Sequence, residues 1–219
     1  MAVKRKPGNA GRSSPGLNWG SSCKRKYTGY GDGLERKLQI CSPMLKKEDI
    51  TLRAPEPRDV DFLFGLENDT KLWHVSQTVV PYARFDLEQY IFSSNKQEPF
   101  AAGQVRFIIE WNRTEKPVTV GTIDLFALDA LNRRAGVGIA LLEEYRGRSL
   151  AGKALDALVA YGFNFLNLHQ LYCNIEADNE RSLRLFQSRG FAVAGVKKEW
   201  NLKGNRWKDE IMLQLVSEK

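Results

Sequence analysis

The chain has 219 residues, enough for one large domain or for one domain with a tail, and 33 basic against 26 acidic residues give it a net charge of +7. Hydrophobic residues make up 42% of the chain, which suffices for a core, but no apolar run approaches the roughly 20 residues that span a bilayer. No apolar segment of a signal peptide follows the basic N-terminus, so we expect a cytoplasmic protein without a membrane partner.

The positive charge is concentrated in residues 1–43. Nine basic and two acidic residues there account for the whole +7, whereas residues 44–219 contain 24 of each sign. We therefore expect no nucleic-acid partner for the domain. The segment lacks hydrophobic periodicity and predicts a disordered basic tail, which we interpret as a non-native leader or an upstream extension of a chain starting at Met44. A localisation or nucleic-acid patch at Lys4–Lys6 or Lys24–Lys26, or a transit peptide, is the alternative.

The predicted elements of residues 44–219 alternate between strands and helices. In chain order they are a strand at 50–53, helices at 57–66 and 86–92, strands at 105–110, 119–128 and 134–142, a helix at 150–167, a strand at 171–177, a helix at 179–188, and strands at 191–196 and 209–216. This order predicts a mixed α/β fold, a single sheet with helices on both faces. The three cysteines have no spacing typical of a disulfide framework or a metal site.

One loop carries the clearest chemical signal, because a predicted strand runs through it into the helix that begins at Leu150. The first amide groups of a helix are unpaired, and with the helix dipole they form a site suited to phosphates. Four small residues of the loop let a phosphate approach the backbone: Gly147, Ser149, Ala151 and Gly152. Two arginines, Arg146 and Arg148, add positive charge. Neither the P-loop nor the dinucleotide-binding pattern is present. A tight turn without a ligand is the alternative interpretation.

A second segment runs from Asn179 to Phe191. Asn179 can cap a helix, Ser182 lies in its first turn, and Gly190 ends it. Plain capping followed by a glycine stop would explain the residues, but not their distance from the phosphate loop or their order along the chain.

Together the two segments resemble the GCN5-related N-acetyltransferase (GNAT) family. The loop resembles the acetyl-CoA signature R/Q-x-x-G-x-G/A, with Arg146 first, Ser149 where glycine is usual, and Ala151 last. The second segment resembles N-x-x-S/A-x-x-x-Y-x-x-x-G-F, with Phe186 in place of the tyrosine. The resemblance covers about residues 48–216 and is closest to bacterial spermidine (diamine) and ribosomal-protein N-terminal acetyltransferases. The stretches that favour these subgroups are Asn132–Arg134, Tyr161–Phe163, Leu166–Leu168 and Lys203–Asp209.

The resemblance implies that residues 44–219 are an N-acetyltransferase domain with a mostly antiparallel sheet splayed at the CoA site. It implies acetyl-CoA as cosubstrate, no metal, and direct attack of a primary amine on the thioester. The implied acceptor is a polyamine or diamine such as spermidine; a protein N-terminus, or a CoA-binding pseudoenzyme, is the alternative. Relatives form oligomers, so a homo-oligomer is expected by analogy.

The family pattern also implies which residues bind the cosubstrate. The pyrophosphate is expected on the loop and the pantetheine along the strand before it, like an added strand. The expected cosubstrate-binding residues are Ile139, Ala140, Leu141, Leu142, Arg146, Gly147, Arg148, Ser149, Leu150, Ala151, Gly152, Asn179, Ser182 and Phe186.

The catalytic residues are harder to assign, because the tyrosine that usually protonates the thiolate is Phe186 here. Tyr172 is the expected substitute acid, and Asn174 is expected to hold a water molecule. Glu110, Asp124, Glu143 and Glu176 are the candidate bases, and Glu176 completes the expected catalytic set with Tyr172 and Asn174.

Acceptor and structural roles follow for other side chains. His74 is a candidate substrate contact, whereas His169 is expected to be structural. Aromatic residues either line an amine pocket or belong to the core: Trp73, Tyr82, Phe85 and Trp111. A run of carboxylates on the acceptor side suits a polyamine: Glu67, Asp69, Asp86, Glu88 and Glu98.

Overall fold

The computed structural model describes residues 45–73, 78–94, 98–113 and 115–218, so the predicted tail and His74 lie outside the described residues. The strands are β1 Lys46–Lys47, β2 Ile50–Arg53, β3 Gln104–Trp111, β4 Val118–Asp129, β5 Arg134–Leu141, β6 Gln170–Glu176, β7 Ala192–Lys203 and β8 Arg206–Val216. The helices are α1 Val60–Glu67, α2 Arg84–Ser94, α3 Pro99–Ala102, α4 Leu150–Ala160 and α5 Glu180–Gln187. Within this described part, no helix is long and apolar enough to cross a membrane.

The strands form one sheet in the order β1-β2-β3-β4-β5-β6-β8-β7. Every neighbouring pair is antiparallel except β5 and β6, which run parallel. Helix α4 lies between β5 and β6 in the chain, because parallel neighbours need a crossover connection. The sheet is therefore mostly antiparallel, with one parallel junction near its middle.

Both faces of the sheet are covered by helices, as the sequence predicted. Ile108 and Ile109 are adjacent in β3 and fully buried, but successive side chains of a strand point to opposite faces. Ile109 belongs to the core formed with α4 and α5, and Ile108 to the core formed with α1 and α2. We call these the α4 face and the α1 face of the sheet.

Two predicted elements differ in extent from the structure. The α-helix predicted to Asn167 ends at Ala160 and continues as a π-turn over Tyr161–Phe165, where the rings of Tyr161 and Phe165 stack 5.3 Å apart. The last two strands extend well beyond the predicted 191–196 and 209–216 into a long hairpin. Lys203 pairs with Arg206 across a two-residue turn, and Gly204 has a φ of 60°, as such turns require.

Candidate active site

The parallel junction between β5 and β6 opens into a slot. The strands pair over three residues only, ending at Gly136 opposite Tyr172. Beyond this point, β5 stays paired with β4 as far as Leu141 and β6 stays paired with β8 as far as Glu176, but not with each other. Each strand therefore presents an edge whose backbone groups can pair with an extended ligand. Gly138, Ile139 and Ala140, which line this opening, are only half-buried.

The loop at the end of β5 forms a site for an anion. Among the described residues, none of the six amide groups from Gly147 to Gly152 donates a hydrogen bond to a protein acceptor. Gly147 and Ser149 have φ values of 80° and 60°, so both adopt the left-handed conformation before α4 begins. Unpaired amides at a helix N-terminus together with left-handed turns are the usual protein site for phosphate oxygens. The backbone of this loop thus has the geometry that a phosphate site requires, and its role as that site stays a prediction.

Three basic side chains surround this loop, and they are engaged differently. Arg146 Nε donates to the Leu141 carbonyl at 3.0 Å, which places its guanidinium at the end of β5. Arg148 lies over the rings of Trp111 and Tyr145, 5.6 and 5.9 Å from their centroids. Lys153 instead binds carboxylates of the β1–β2 turn, at 2.7 Å from Asp49 and 2.8 Å from Glu48. The two arginines are therefore the charges that an anion on this loop would meet.

Helix α5 begins with the predicted cap. Asn179 Oδ1 accepts a hydrogen bond from the Ser182 amide at 3.2 Å. At the other end, Arg189 Nε binds Asp156 of α4 at 2.8 Å, and its guanidinium lies where a side chain on Gly152 would stand. These contacts fix α5 against the first half of α4.

Phe186 lies in the core of the α4 face with only 3% of its surface exposed. Its ring meets Phe191 edge to face. A phenyl ring has no proton to donate, so this residue supplies neither acid nor base.

The predicted acid Tyr172 lies at the start of the slot. Phe126 of β4 reaches across Gly136 on the α1 face, and its ring meets Tyr172 edge to face with 6.0 Å between centroids. Gly136 has no side chain in the way, which lets the two rings meet. One row further along, Asp124 of β4 reaches over Gly138 in the same manner, with Oδ1 2.9 Å from where a Cβ would lie. The slot is thus bordered on this face by side chains of β4 and β6.

Asn174 and Glu176 lie on the β6 side of the slot and are bound by lysines of β7. Lys197 Nζ donates to Asn174 Oδ1 at 3.2 Å, and Lys203 Nζ lies 3.3 Å from Glu176 Oε2. Glu210 of β8 faces Glu176 across the strands and binds Lys197 at 2.7 Å. The sequence analysis missed these partners, because it ended β7 before residue 197; extending the strand alternation would have found them.

The other candidate bases have different surroundings. Glu110 is bound by Arg53 at 2.6 Å, and Glu143 is exposed in a short 3-10 turn. Asp124 accepts from Arg106 Nη2 at 3.4 Å, and Arg106 Nη1 binds Glu67 at 2.5 Å. Burial raises the pKa of Asp124 more than Arg106 lowers it. Of the carboxylates predicted to suit a polyamine, only Glu67 lies in the cluster with Arg106 and Asp124.

The candidate amine-binding aromatic residues do not share one pocket. Trp111 packs against the α4 face, and its Nε1 donates to Asp49 at 2.8 Å. Trp73 Nε1 donates to the Glu67 carbonyl at 2.8 Å, while Tyr82 and Phe85 are exposed. His169 is exposed just before β6, and its structural role stays a prediction. Among the described residues, no group of three or more His, Cys, Asp or Glu side chains could hold a metal ion.

Comparisons with known proteins agree with this geometry. The model of the acetyltransferase (GNAT) domain matches residues 49–192. The chain is 24% identical to spermidine N(1)-acetyltransferase of Vibrio cholerae, over 78% of this chain and 94% of the relative, and 26% identical to that of Escherichia coli, over 69% and 77%. It is 30% identical to an uncharacterised N-acetyltransferase of Bacillus licheniformis, over 78% and 95%.

A solved structure shares the fold. Spermidine N-acetyltransferase from Vibrio cholerae, in complex with CoA and spermine, superposes with a TM-score of 0.68 at 23% identity, over 77% of this chain and 95% of that one. The chain therefore belongs to the GNAT family of acetyltransferases. It is an acyltransferase of the N-acetyltransferase class, and the predicted fold class is confirmed.

Proposed function

We propose that the protein transfers the acetyl group of acetyl-CoA to a primary amine, and that the amine is a polyamine or diamine such as spermidine. The observation that carries the proposal is the continuity between the slot of β5 and β6 and the six unpaired amides of Gly147–Gly152. An extended ligand with a phosphate at one end matches this shape. The relatives named as spermidine acetyltransferases support the choice of acceptor.

The cosubstrate is assigned to the slot and the loop. Its pyrophosphate accepts from the amides of Gly147–Gly152, with Arg146 and Arg148 as counter-charges, and its pantetheine pairs with Ile139–Leu142. Asn179 and Ser182 hold the start of α5, and Phe186 packs beneath it, so these three predicted residues support the site. A backbone amide of β5 polarises the thioester carbonyl.

Arg148→Ala tests the cosubstrate assignment. We expect a higher KM for acetyl-CoA, because the variant removes one of the two guanidinium charges at the phosphates. Arg113→Ala is the matched control, since Arg113 lies 5.9 Å from the same Trp111 ring but outside the loop. Equal KM values for the two variants would contradict the assignment.

The reaction has one bond-forming and two proton-transfer events. An ammonium with a pKa near ~10 must lose a proton before its nitrogen attacks the thioester carbon. The C–N bond forms, the C–S bond breaks, and the thiolate of CoA takes up a proton. We assign the thiolate proton to Tyr172, at the start of the slot, and the relay of the amine proton to Glu176 with a water on Asn174. Their common position on β6 supports this assignment.

The decisive experiment measures free thiol released from acetyl-CoA with spermidine, putrescine, lysine or a short N-terminal peptide as acceptor. We expect thiol release that depends on spermidine or putrescine. Release with the peptide alone would favour the protein N-terminal acetyltransferase. Binding of CoA without acceptor-dependent thiol would identify a pseudoenzyme and overturn the proposal. The expected cytoplasmic location stays a prediction.

We further propose that the protein self-associates. Near its turn, the β7–β8 hairpin leaves three large apolar side chains more than half exposed, Trp200, Leu202 and Trp207. Leu202 and Trp207 are cross-strand partners, which gives a contiguous apolar strip. The Vibrio cholerae spermidine acetyltransferase has been solved as a dodecamer, which supports self-association. Light scattering at micromolar concentration should give a mass above 24.9 kDa, and a mass of one chain would contradict this proposal.

A further inference from the structure

A single row of side chains crosses the α1 face of the sheet toward the slot. Arg106 of β3 lies opposite Asp124 of β4, and Asp124 lies opposite Gly138 of β5. Gly138 stands two residues past the last pair between β5 and β6, so the row ends where the slot is open. Because cross-strand partners point to the same face, Asp124 is the last side chain before the slot.

The space that Asp124 uses exists because residue 138 is glycine. A Cβ at Gly138 would lie 2.9 Å from Asp124 Oδ1, 3.4 Å from its carboxyl carbon and 3.6 Å from Oδ2. A real side chain would press the carboxylate back toward β3. The glycine therefore lets an acid on β4 reach the border of the slot across a neighbouring strand.

The two carboxylate oxygens of Asp124 have different partners. Oδ2 accepts from Arg106 at 3.4 Å and from Gln104 Nε2 at 3.3 Å, both on β3. Oδ1, on the β5 side, accepts no hydrogen bond from any described residue. An acceptor atom without a partner, directed at an open slot, is available to a ligand that carries N–H donors.

The charges around Asp124 are unbalanced. Arg106 lies between Asp124 and Glu67, which is its closer partner at 2.5 Å, so one guanidinium serves two carboxylates. Tyr90, whose ring lies 5.7 Å from the guanidinium, adds no cation. With both carboxylates ionised, the group therefore has one net negative charge in a poorly solvated place, and this burial raises the pKa of Asp124. A bound cation would compensate it.

The other carboxylates of this face have basic partners of their own. Glu110 is bound by Arg53 at 2.6 Å, Glu176 by Lys203 at 3.3 Å, and Glu210 by Lys197 at 2.7 Å. Arg53 is also shared, between Glu110 and Asp59 at 2.6 Å each, but there a second cation is close, because Arg58 lies 3.7 Å from Glu110. Asp124 is thus the carboxylate of this face whose charge is left for a ligand.

We infer that Asp124 is a specificity-determining residue that binds the ammonium group of the acceptor amine at the open slot, with Gly138 providing the space and Arg106 orienting the carboxylate. This inference rests on the proposed function and deepens it, because it names the group that selects a cationic acceptor. The ammonium donates to Oδ1, and the amine nitrogen is thereby placed beside the thioester in the slot.

Two variants test the inference with spermidine as acceptor. Asp124→Asn keeps the shape but removes the charge, and we expect the KM for spermidine to rise about 10- to 100-fold while the dissociation constant of CoA, measured by calorimetry, stays unchanged. Gly138→Ala keeps the charge but displaces it, so the KM should rise here too. Asp124→Glu keeps a carboxylate beside the empty Gly138 position and should recover part of the loss. Asp61→Asn, an exposed acid of α1, is the control.

The outcomes distinguish a failure of the role proposed for Asp124 from a failure of the proposed amine acetylation. If the unaltered protein acetylates spermidine and both Asp124→Asn and Gly138→Ala keep its KM, the inference is overturned and the function stands. If the unaltered protein acetylates no amine, the proposed function itself fails. Thermal unfolding of each variant identifies misfolding, and Gly138→Ala decides the question if Asp124→Asn does not fold, because it leaves the ion pairs in place.

Discussion

Phe186 and Phe191 meet edge to face in the core, with ring centroids 5.0 Å apart and an interplanar angle of 88°. Phe186 holds the position at which the family motif has a tyrosine. The residue that usually returns a proton to the thiolate has thus become part of the packing between α5 and the sheet. Protonation must come from elsewhere, and in the proposed mechanism it comes from Tyr172 on the far side of the slot.

Tyr172→Phe should lower kcat about 10²- to 10⁴-fold, because it removes the proposed proton donor and keeps the ring contact with Phe126. Phe186→Tyr added to this variant should restore part of the rate, since it returns a hydroxyl to the usual family position. Steady-state kinetics with acetyl-CoA and spermidine measure both effects. An undiminished kcat in Tyr172→Phe would mean that water protonates the thiolate.

Ser149 has a φ of 60°, a conformation that disfavours branched side chains. Ser149→Gly should raise the free energy of unfolding by up to about 1 kcal/mol, whereas Ser149→Val should lower it by about 1–2 kcal/mol. Ser149→Val should also raise the KM for acetyl-CoA, because it disturbs the loop amides. Ser93→Val in α2 is the control for the same change at a helical position. Equal stability of the two valine variants would refute the strain argument.

Gly121 of β4 lies against the end of β5. A Cβ there would collide with the Ala140 carbonyl oxygen and lie 3.0 Å from Leu141 Cα, so the backbone itself would have to move. Gly121→Ala should therefore lower the free energy of unfolding by about 1–3 kcal/mol or more, as measured in urea. Gly65→Ala in α1 meets no atom within 4 Å and should gain about 0.5–1 kcal/mol. A neutral Gly121→Ala would show that β5 can shift.

Asp59 accepts two hydrogen bonds from Arg53, at 2.6 and 2.7 Å, with only 4% of its side chain exposed. Burial alone would raise the pKa of Asp59, but the Arg53 guanidinium outweighs it and holds the pKa below its ordinary value. The stabilisation is therefore complete above about pH 3.9 and is lost as the pH falls through the folded-state pKa.

Asp59→Asn should lower the free energy of unfolding by about 3 kcal/mol at pH 7. This value is at the low end for the loss of one partner from a buried ion pair, because Arg53 still has Glu110 as a partner in the variant. The difference from the unaltered protein should shrink in acid, where Asp59 is protonated in both states. Asp61→Asn breaks an ion pair whose acid is 83% exposed and should be neutral. A pH-independent loss in Asp59→Asn would argue against the ion pair as its cause.

The sequence predicted the parts of the site that depend on local geometry. The Asn179 cap and the loop before Leu150 follow from which residues tolerate a helix start, and both are present. The opening of β5 from β6, expected from the resemblance alone, has its position set by pairing between distant segments. Asp124 illustrates the limit: its proposed role depends on Gly138 in the next strand, and no pattern within β4 indicates that register.

The length of the last hairpin was missed for a different physical reason. The segment between Val196 and Asp209 is mostly polar, with Trp200, Leu202 and Trp207 as its large apolar residues, and Glu199 interrupts the alternation with a φ of 49° at a bulge. A strand whose side chains meet lysine and carboxylate partners instead of a core lacks the apolar alternation by which strands are recognised. Lys197 and Lys203, which bind Asn174 and Glu176, lie in this part of β7, and for this reason the sequence did not predict them as partners.

The three residue pairs that join β5 to β6 have a consequence for the lifetime of the protein. On either side of this seam the strands are paired over longer stretches, β5 with β4 and β6 with β8, so the seam is the place where the two halves of the sheet can separate first. In the proposed complex acetyl-CoA spans the seam. At a concentration of 100 times its Kd, bound acetyl-CoA would raise the free energy of unfolding by about 2.7 kcal/mol. The rate at which proteases degrade the protein would then fall as the acetyl-CoA concentration rises, so the amount of enzyme would depend on the concentration of its own cosubstrate.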